Sequence, residues 1–153
     1  MNILKKLEKR KEVRFLIMLS MLFFFLRLPS LIEPYWYGDE GIYHVIGMAL
    51  NNGRLLYTEI WDNKPPLLYI IYAIANADQF TVRLFSLISG VASMNLFYFL
   101  SLKIFQSPRN SSITTFFYTI IFATPLLEGN IANAENFMLL PIIAAALLIY
   151  KSL

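Results

Sequence analysis

The stretch Pro65-Pro-Leu-Leu-Tyr-Ile-Ile-Tyr-Ala-Ile-Ala-Asn-Ala77 decides the fold. It is almost wholly apolar, and whether it crosses a bilayer sets the side of every segment after it. Its thirteen residues fall short of the roughly 20 that a straight helix needs to span the hydrocarbon. It also opens on two prolines. It therefore reads as an interfacial or re-entrant helix.

Four other apolar runs flank it. Val13 to Ile32 is membrane-length, and so is Thr81 to Phe105. Ser111 to Leu127 and Phe137 to Tyr150 are shorter. The expected fold is an all-α membrane protein. It is a multi-pass helical bundle of about four transmembrane helices over 13–32, 81–105, 111–127 and 137–150. A long outer loop, 33–80, holds short juxtamembrane helices. Composition sets the same class: 58% of the 153 residues are hydrophobic and only 15% are charged, against about 25% charged in soluble domains. With no cysteine, disulfides, thiol nucleophiles and thiolate metal sites are excluded.

Charge placement supports a non-crossing 65–77 segment. The helices then run out, in, out, in. The inner side receives the basic segment 1–14 (Lys5, Lys6, Lys9, Arg10, Lys11, Arg14) together with Lys103, Arg109 and Lys151. That is nine of the thirteen basic residues, as the positive-inside rule requires. Glu33, Asp39, Glu40, Glu59, Asp62, Asp78, Glu128 and Glu135 all fall outside. The net charge of +3 is thus a topology signal, and no nucleic-acid partner is expected. The first run lacks a small-residue cleavage site and reads as a signal anchor with a cytoplasmic N-terminus. Arg27 at its far end is placed to snorkel to the interface.

The outer loop carries the chemistry. Loops of nearly fifty residues are uncommon unless functional. Gly41 to Asn51 has helical spacing of Ile42, Val45, Ile46, Ala49 and Leu50, with Asn51-Asn-Gly53 as a stop. Asp39 and Glu40 precede or open this helix, where its dipole favours negative charge. A carboxylate pair this close to hydrocarbon invites a functional reading. The bland alternative is a solvated helix start.

Four motifs then occur in order: Asp39-Glu-Gly-Ile-Tyr43, Trp61-Asp-Asn-Lys-Pro-Pro-Leu-Leu-Tyr69, Val82-Arg-Leu-Phe-Ser86 and Asn130-Ile-Ala-Asn-Ala-Glu-Asn-Phe-Met-Leu-Leu-Pro141. From about Arg27 onward the chain resembles the N-terminal part of the glycosyltransferase family 39 type of polyprenyl-phosphate sugar transferase. These enzymes belong to the GT-C superfamily, whose relatives include protein O-mannosyltransferases. The resemblance implies an inverting membrane glycosyltransferase of the plasma (inner) membrane. It would move a sugar from a polyprenyl-phosphate donor to a protein, lipid or glycan acceptor on the outer face. It implies Asp39 as general base, with Glu40 holding the acceptor or tuning Asp39. Lys64 would meet the donor phosphate, aimed by Pro65-Pro66. Arg83 would meet a lipid phosphate or merely anchor its helix. Glu135 would face the same cavity and bind acceptor, sugar or metal.

Tyr43, Trp61 and Asp62 complete the candidate substrate contacts. Trp61, Tyr69 and Tyr72 also suit an interfacial aromatic belt, and Asp62 and Asn63 suit a turn before the prolines. The lone His44 is read as an interfacial residue. The carboxylates accommodate a divalent cation as cofactor or metal-free chemistry. Ile42 stands where transferases acting on lipid A tend to carry a basic residue, which counts against aminoarabinose transfer. Family members continue for several more helices, so the chain reads as a fragment of such an enzyme. The alternatives are a non-catalytic multi-pass scaffold and a transporter fragment. A transporter would place its ionisable groups near the membrane midplane rather than in outer loops.

Overall fold

The computed structural model describes the backbone of residues 3–152 and the side chains of 10–150 and 152. Its elements are α1 (Ile3–Arg27), a 3-10 turn (Leu28–Leu31), α2 (Gly38–Asn51), α3 (Pro66–Ile74), α4 (Gln79–Phe105), α5 (Pro108–Ala123), a second 3-10 turn (Pro125–Leu127) and α6 (Ala134–Ser152). There is no strand among the described residues. Two segments are long and apolar enough to cross a membrane, Arg10–Leu31 and Gln79–Phe105. The apolar part of α6, Ala134–Tyr150, is shorter.

Side-chain pairings fix how the long helices run. Phe15 packs on Tyr98, Asn95 donates to Ser20 Oγ at 3.2 Å, Arg27 donates to Ser86 Oγ at 3.1 Å, and Arg83 donates to the Ser30 carbonyl at 2.6 Å. Numbers rise along α1 as they fall along α4, so the two are antiparallel. Between them, a Cβ on Gly90 would lie 2.7 Å from the Phe23 ring, so this contact admits only glycine without a shift. A two-residue turn at Gln106 (φ 51°) and Ser107 reverses the chain into α5. α6 then returns alongside α4: Ser89 shares a groove with Phe137, and Phe97 shares another with Ile142. The basic start of α1, Lys103 and Arg109 thus lie toward one end. Residues 33–80 and 124–135 lie together at the other.

The outward faces stay apolar. Ile17, Met18, Phe25, Ile88, Phe117 and Leu148 are all exposed. Inside, the helices meet through small polar residues as well as through Leu19, Phe23, Met94 and Tyr118. Thr115 and Thr119 return their hydroxyls to carbonyls one turn back, at 2.7 and 2.9 Å. Ser93 and Tyr118 hydroxyls meet at 2.9 Å. Such inward hydroxyls are common where helices pack in lipid.

Local chemistry explains the boundaries. α2 starts at Gly38 rather than Gly41, so Asp39 and Glu40 lie in its first turn, and it ends at Asn51 before Gly53 (φ 79°) as expected. α3 has nine residues, about 14 Å at 1.5 Å per residue, which is a length for lying beside a membrane rather than crossing one. α5 ends at Ala123, short of Leu127, because Thr124 precedes Pro125 and is extended (φ −119°, ψ 168°). α6 starts at Ala134, earlier than 137, because the Asn133 side chain caps it, accepting from the Asn136 N–H at 3.0 Å. α1 continues as helix into the basic segment from Ile3.

α4 is capped by Asp78, whose Oδ2 accepts the Thr81 hydroxyl at 2.6 Å and the Thr81 N–H at 2.8 Å. These bonds hold the Asp78 carboxyl below its ordinary value. A depressed folded-state value gives stability that is present above the unfolded-state value and lost as pH falls through the folded one. Asp78→Ala is expected to cost about 1 kcal/mol at neutral pH. Thermal unfolding in detergent across a pH series should show the gap from wild type closing in acid.

Candidate functional site

Asp39 and Glu40 are adjacent in sequence and point to different worlds. Glu40 is fully buried and forms a two-point ion pair with Arg83: Nε to Oε1 at 3.0 Å and Nη2 to Oε2 at 2.7 Å. Arg83, also fully buried, sends Nη1 to the Ser30 and Glu33 carbonyls. Its guanidinium lies 5.5 Å from the centre of the Tyr35 ring. Glu40 Oε1 accepts in addition the Ala132 N–H at 2.9 Å. One carboxylate and one guanidinium thereby tie the end of α1, the start of α2, α4 and the chain leading into α6.

A second arginine sits beside them. Arg27 is 1% exposed and donates to Ser86 Oγ and the Gly129 carbonyl, while Ser86 donates to the Ile131 carbonyl at 3.0 Å. Arg27 therefore does not snorkel; it braces the 128–133 loop from below. Asn136 donates to the Glu128 and Ile131 carbonyls. Tyr72 donates to the Ala132 carbonyl at 2.8 Å. This loop is held almost wholly by side chains reaching its backbone, and it carries Glu135 on the first turn of α6.

Above this base lies a polar cavity of about 260 Å³ lined by Asp39, Ile42, Tyr43, Asp62, Asn63 and Lys64. Asp39 accepts from the Tyr43 hydroxyl one helical turn later, at 3.2 Å. Asp62 accepts from the Tyr69 hydroxyl at 2.7 Å, and Lys64 Nζ meets Glu135 Oε1 at 3.2 Å. Tyr43, Tyr69 and Tyr72 pack edge to face beneath. Gly47 lets α2 approach α3: a Cβ there would lie 2.8 Å from Tyr72 Cβ.

Electrostatics follow from this packing. Burial pushes the Tyr43 phenol above its ordinary value, and the Asp39 carboxylate adds to the effect. Burial and the Asp62 hydrogen bond do the same to Tyr69. Both stay protonated donors at neutral pH. The Tyr37 phenol is raised by burial first, then by the charges of Asp39, Glu128 and Glu135, so three carboxylates project their field onto one spot. Lys64 is the one cation lining the cavity. Its partner Glu135 has a side chain 64% exposed, and ion pairs this open are worth only about 0–1 kcal/mol. An anion of a ligand can replace that carboxylate at little cost. Beside the cavity, past Pro65, runs an apolar groove of about 310 Å³ lined by Leu67, Ile71, Phe137, Met138 and Pro141.

Of the residues singled out by sequence, Asp39, Tyr43, Asp62, Lys64 and Glu135 come together. Three do not join them. Glu40 is sealed behind Arg83 and cannot touch an acceptor. Every side-chain nitrogen of Arg83 is engaged inside the protein, so of its two expected roles only that of anchor fits. Trp61 is 76% exposed and does not line the cavity. Sequence reasoning missed Tyr57, which donates to the Lys64 carbonyl, and the bracing role of Arg27. An arginine within an apolar run was the available signal for Arg27. Asn133 and Asn136 serve the loop backbone instead of facing a ligand. Among the described residues no three histidines or carboxylates converge to cage a metal ion.

In comparisons with protein-family models, curated proteins and solved structures, the chain matches none of them.

The two neighbouring acids should respond oppositely to neutralisation. Glu40→Gln leaves Arg83 buried and short of its counter-charge, with an expected cost of about 3–5 kcal/mol. Asp39→Asn changes a half-exposed group and should stay within about 0.5 kcal/mol of wild type. Thermal unfolding of both variants in one detergent checks the contrast.

Proposed function

We propose that the chain is the N-terminal, catalytic-loop-bearing part of a GT-C glycosyltransferase that uses a polyprenyl-phosphate-linked sugar. One observation carries this reading: the cavity joins Asp39 of the first motif to Asp62 and Lys64 of the second, and an apolar groove opens beside the lysine. The combination suits a ligand with a hydroxyl-rich head, an anionic neck and a long apolar tail. The order of the four sequence motifs supports the same assignment.

In this reading an acceptor hydroxyl enters the cavity beside Asp39. The carboxylate takes its proton as the oxygen attacks the anomeric carbon. The bond from that carbon to the phosphate oxygen breaks on the opposite face, with inversion, and the electron pair leaves with the lipid phosphate. Lys64 exchanges Glu135 for that phosphate and meets its growing charge. Asp62, held by Tyr69, and Tyr43, held by Asp39, contact the sugar or the acceptor. Glu40 and Arg83 act only by fixing the first turn of α2, and so the direction of Asp39.

The membrane arrangement belongs to the same proposal. α1, α4, α5 and α6 cross in alternation, α2 and α3 lie at the outer surface, and the basic end faces the cytoplasm. Tyr35, Trp36, Tyr57 and Trp61 at the cavity end supply aromatic side chains for the interface.

Asp39→Asn should abolish sugar transfer in membranes carrying the protein while leaving insertion intact, and wild-type turnover would remove Asp39 as base. Lys64→Ala should raise the donor concentration needed for half-maximal rate; an unchanged requirement would remove its phosphate role. Glycosylation tags at residue 78 and in the 106–110 turn should report opposite sides, with 78 outside.

A further inference from the structure

Lys64 sits on a peptide held from both sides. Its carbonyl accepts the Tyr57 hydroxyl at 2.6 Å, and its N–H donates to the Tyr69 hydroxyl at 3.2 Å. Tyr69 is anchored in turn by its bond to Asp62 and by complete burial. Tyr57 is anchored differently. It occupies the left-handed region, φ 66°, which is a true outlier for a bulky side chain. Such a conformation persists only where surrounding contacts over-determine it.

The loop around Tyr57 provides those contacts. The Tyr57 N–H donates to the Ile60 carbonyl at 2.6 Å, and the Thr58, Glu59 and Ile60 N–H groups all turn to the Leu55 carbonyl. Glu59 accepts the Leu55 N–H at 2.8 Å and pairs with Arg54 at 3.4 Å. The loop is thus closed on itself at residues 54–60, and the Tyr57 hydroxyl reaches out of it to the Lys64 carbonyl.

We propose that Tyr57 is a positioning residue for Lys64, its strained backbone and its hydroxyl together fixing where the ammonium emerges between Glu135 and the apolar groove. The inference deepens the donor-phosphate reading of Lys64 and rests on it for its functional meaning. A lysine has four rotatable side-chain bonds and loses much freedom when it binds an anion. Pinning its peptide at the carbonyl and the N–H, with Pro65 fixing the chain beyond, removes the backbone share of that freedom in advance. Tyr57 touches neither donor nor acceptor, so it acts only through Lys64.

The test reads Lys64 directly. The protein is placed in phosphatidylcholine nanodiscs, open to reagent on both faces, with or without undecaprenyl phosphate, and treated with a water-soluble amine-acylating reagent. Acylation of Lys64 is quantified by mass spectrometry relative to Lys103, which is exposed at the other end of the fold. Tyr57→Phe keeps the ring and removes the hydroxyl. Its Lys64 to Lys103 ratio should rise several-fold, and several-fold more undecaprenyl phosphate should be needed to protect Lys64. Tyr57→Gly relieves the backbone and also lacks the hydroxyl, so it should give the same rise even if the phenylalanine variant folds poorly. An unchanged ratio in either folded variant overturns the positioning role. Failure of undecaprenyl phosphate to protect wild-type Lys64 overturns the donor reading instead, and the ratio without undecaprenyl phosphate still decides the role of Tyr57.

Discussion

Everything at the cavity end depends on one buried charge pair. Glu40 and Arg83 have left water completely, a step that costs several kcal/mol per ion and is repaid only with good geometry and further hydrogen bonds. Here the repayment is a two-point contact, two backbone carbonyls on the arginine and one backbone N–H on the glutamate. The partners come from four places in the chain: the turn after α1, α2, α4 and the loop before α6. A hydrophobic contact there would tolerate sliding. A fork of hydrogen bonds does not, so the pair sets the register among elements that otherwise share a loosely directional apolar core. Arg27 extends the same logic, reaching Gly129 from inside the end of α1.

Much of this was legible in the sequence. The short, proline-led stretch at 65–77 foretold a short helix, and α3 has only nine residues. The acids at 39, 62 and 135 and the lysine at 64 foretold a cluster. Segment lengths and motif spacing carry such information because helical rise and side-chain chemistry are local properties. The division of labour between Asp39 and Glu40 was not legible. Successive residues on a helix point about 100° apart, so one faces the cavity and the other the core. Which is which depends on the phase of α2 against α4, and that is a tertiary fact. Arg83 was ambiguous for the same reason: an arginine at a helix end can meet lipid, water or a buried glutamate, and only the position of Glu40 decides.

The tyrosines show a second limit. Read along the chain, Tyr69 and Tyr72 look, with Trp61, like an interfacial belt. In the fold each of these hydroxyls has a specific acceptor, Asp62 for Tyr69 and the Ala132 carbonyl for Tyr72, and Tyr57 likewise donates to the Lys64 carbonyl. An aromatic ring near an interface and a phenol placed as a fixed donor have the same sequence signature. They differ in whether a partner lies within reach, and here those partners sit on loops whose course no periodicity reveals. The positive φ of Tyr57 had no sequence signal at all, since nothing in Leu-Tyr-Thr marks a left-handed residue.

The Glu40 contacts also set an order of assembly. Arg83 follows Glu40 by 43 residues, and the Ala132 N–H follows it by 92. A ribosome makes the glutamate first, at about 5–20 residues per second, so Glu40 waits seconds for its last partner. An unpaired carboxylate cannot enter the interior in that time and stays hydrated. The segment bearing Asp39 is therefore the earliest part of the cavity to be synthesised, and the bonds that fix it are complete only once the start of α6 has emerged.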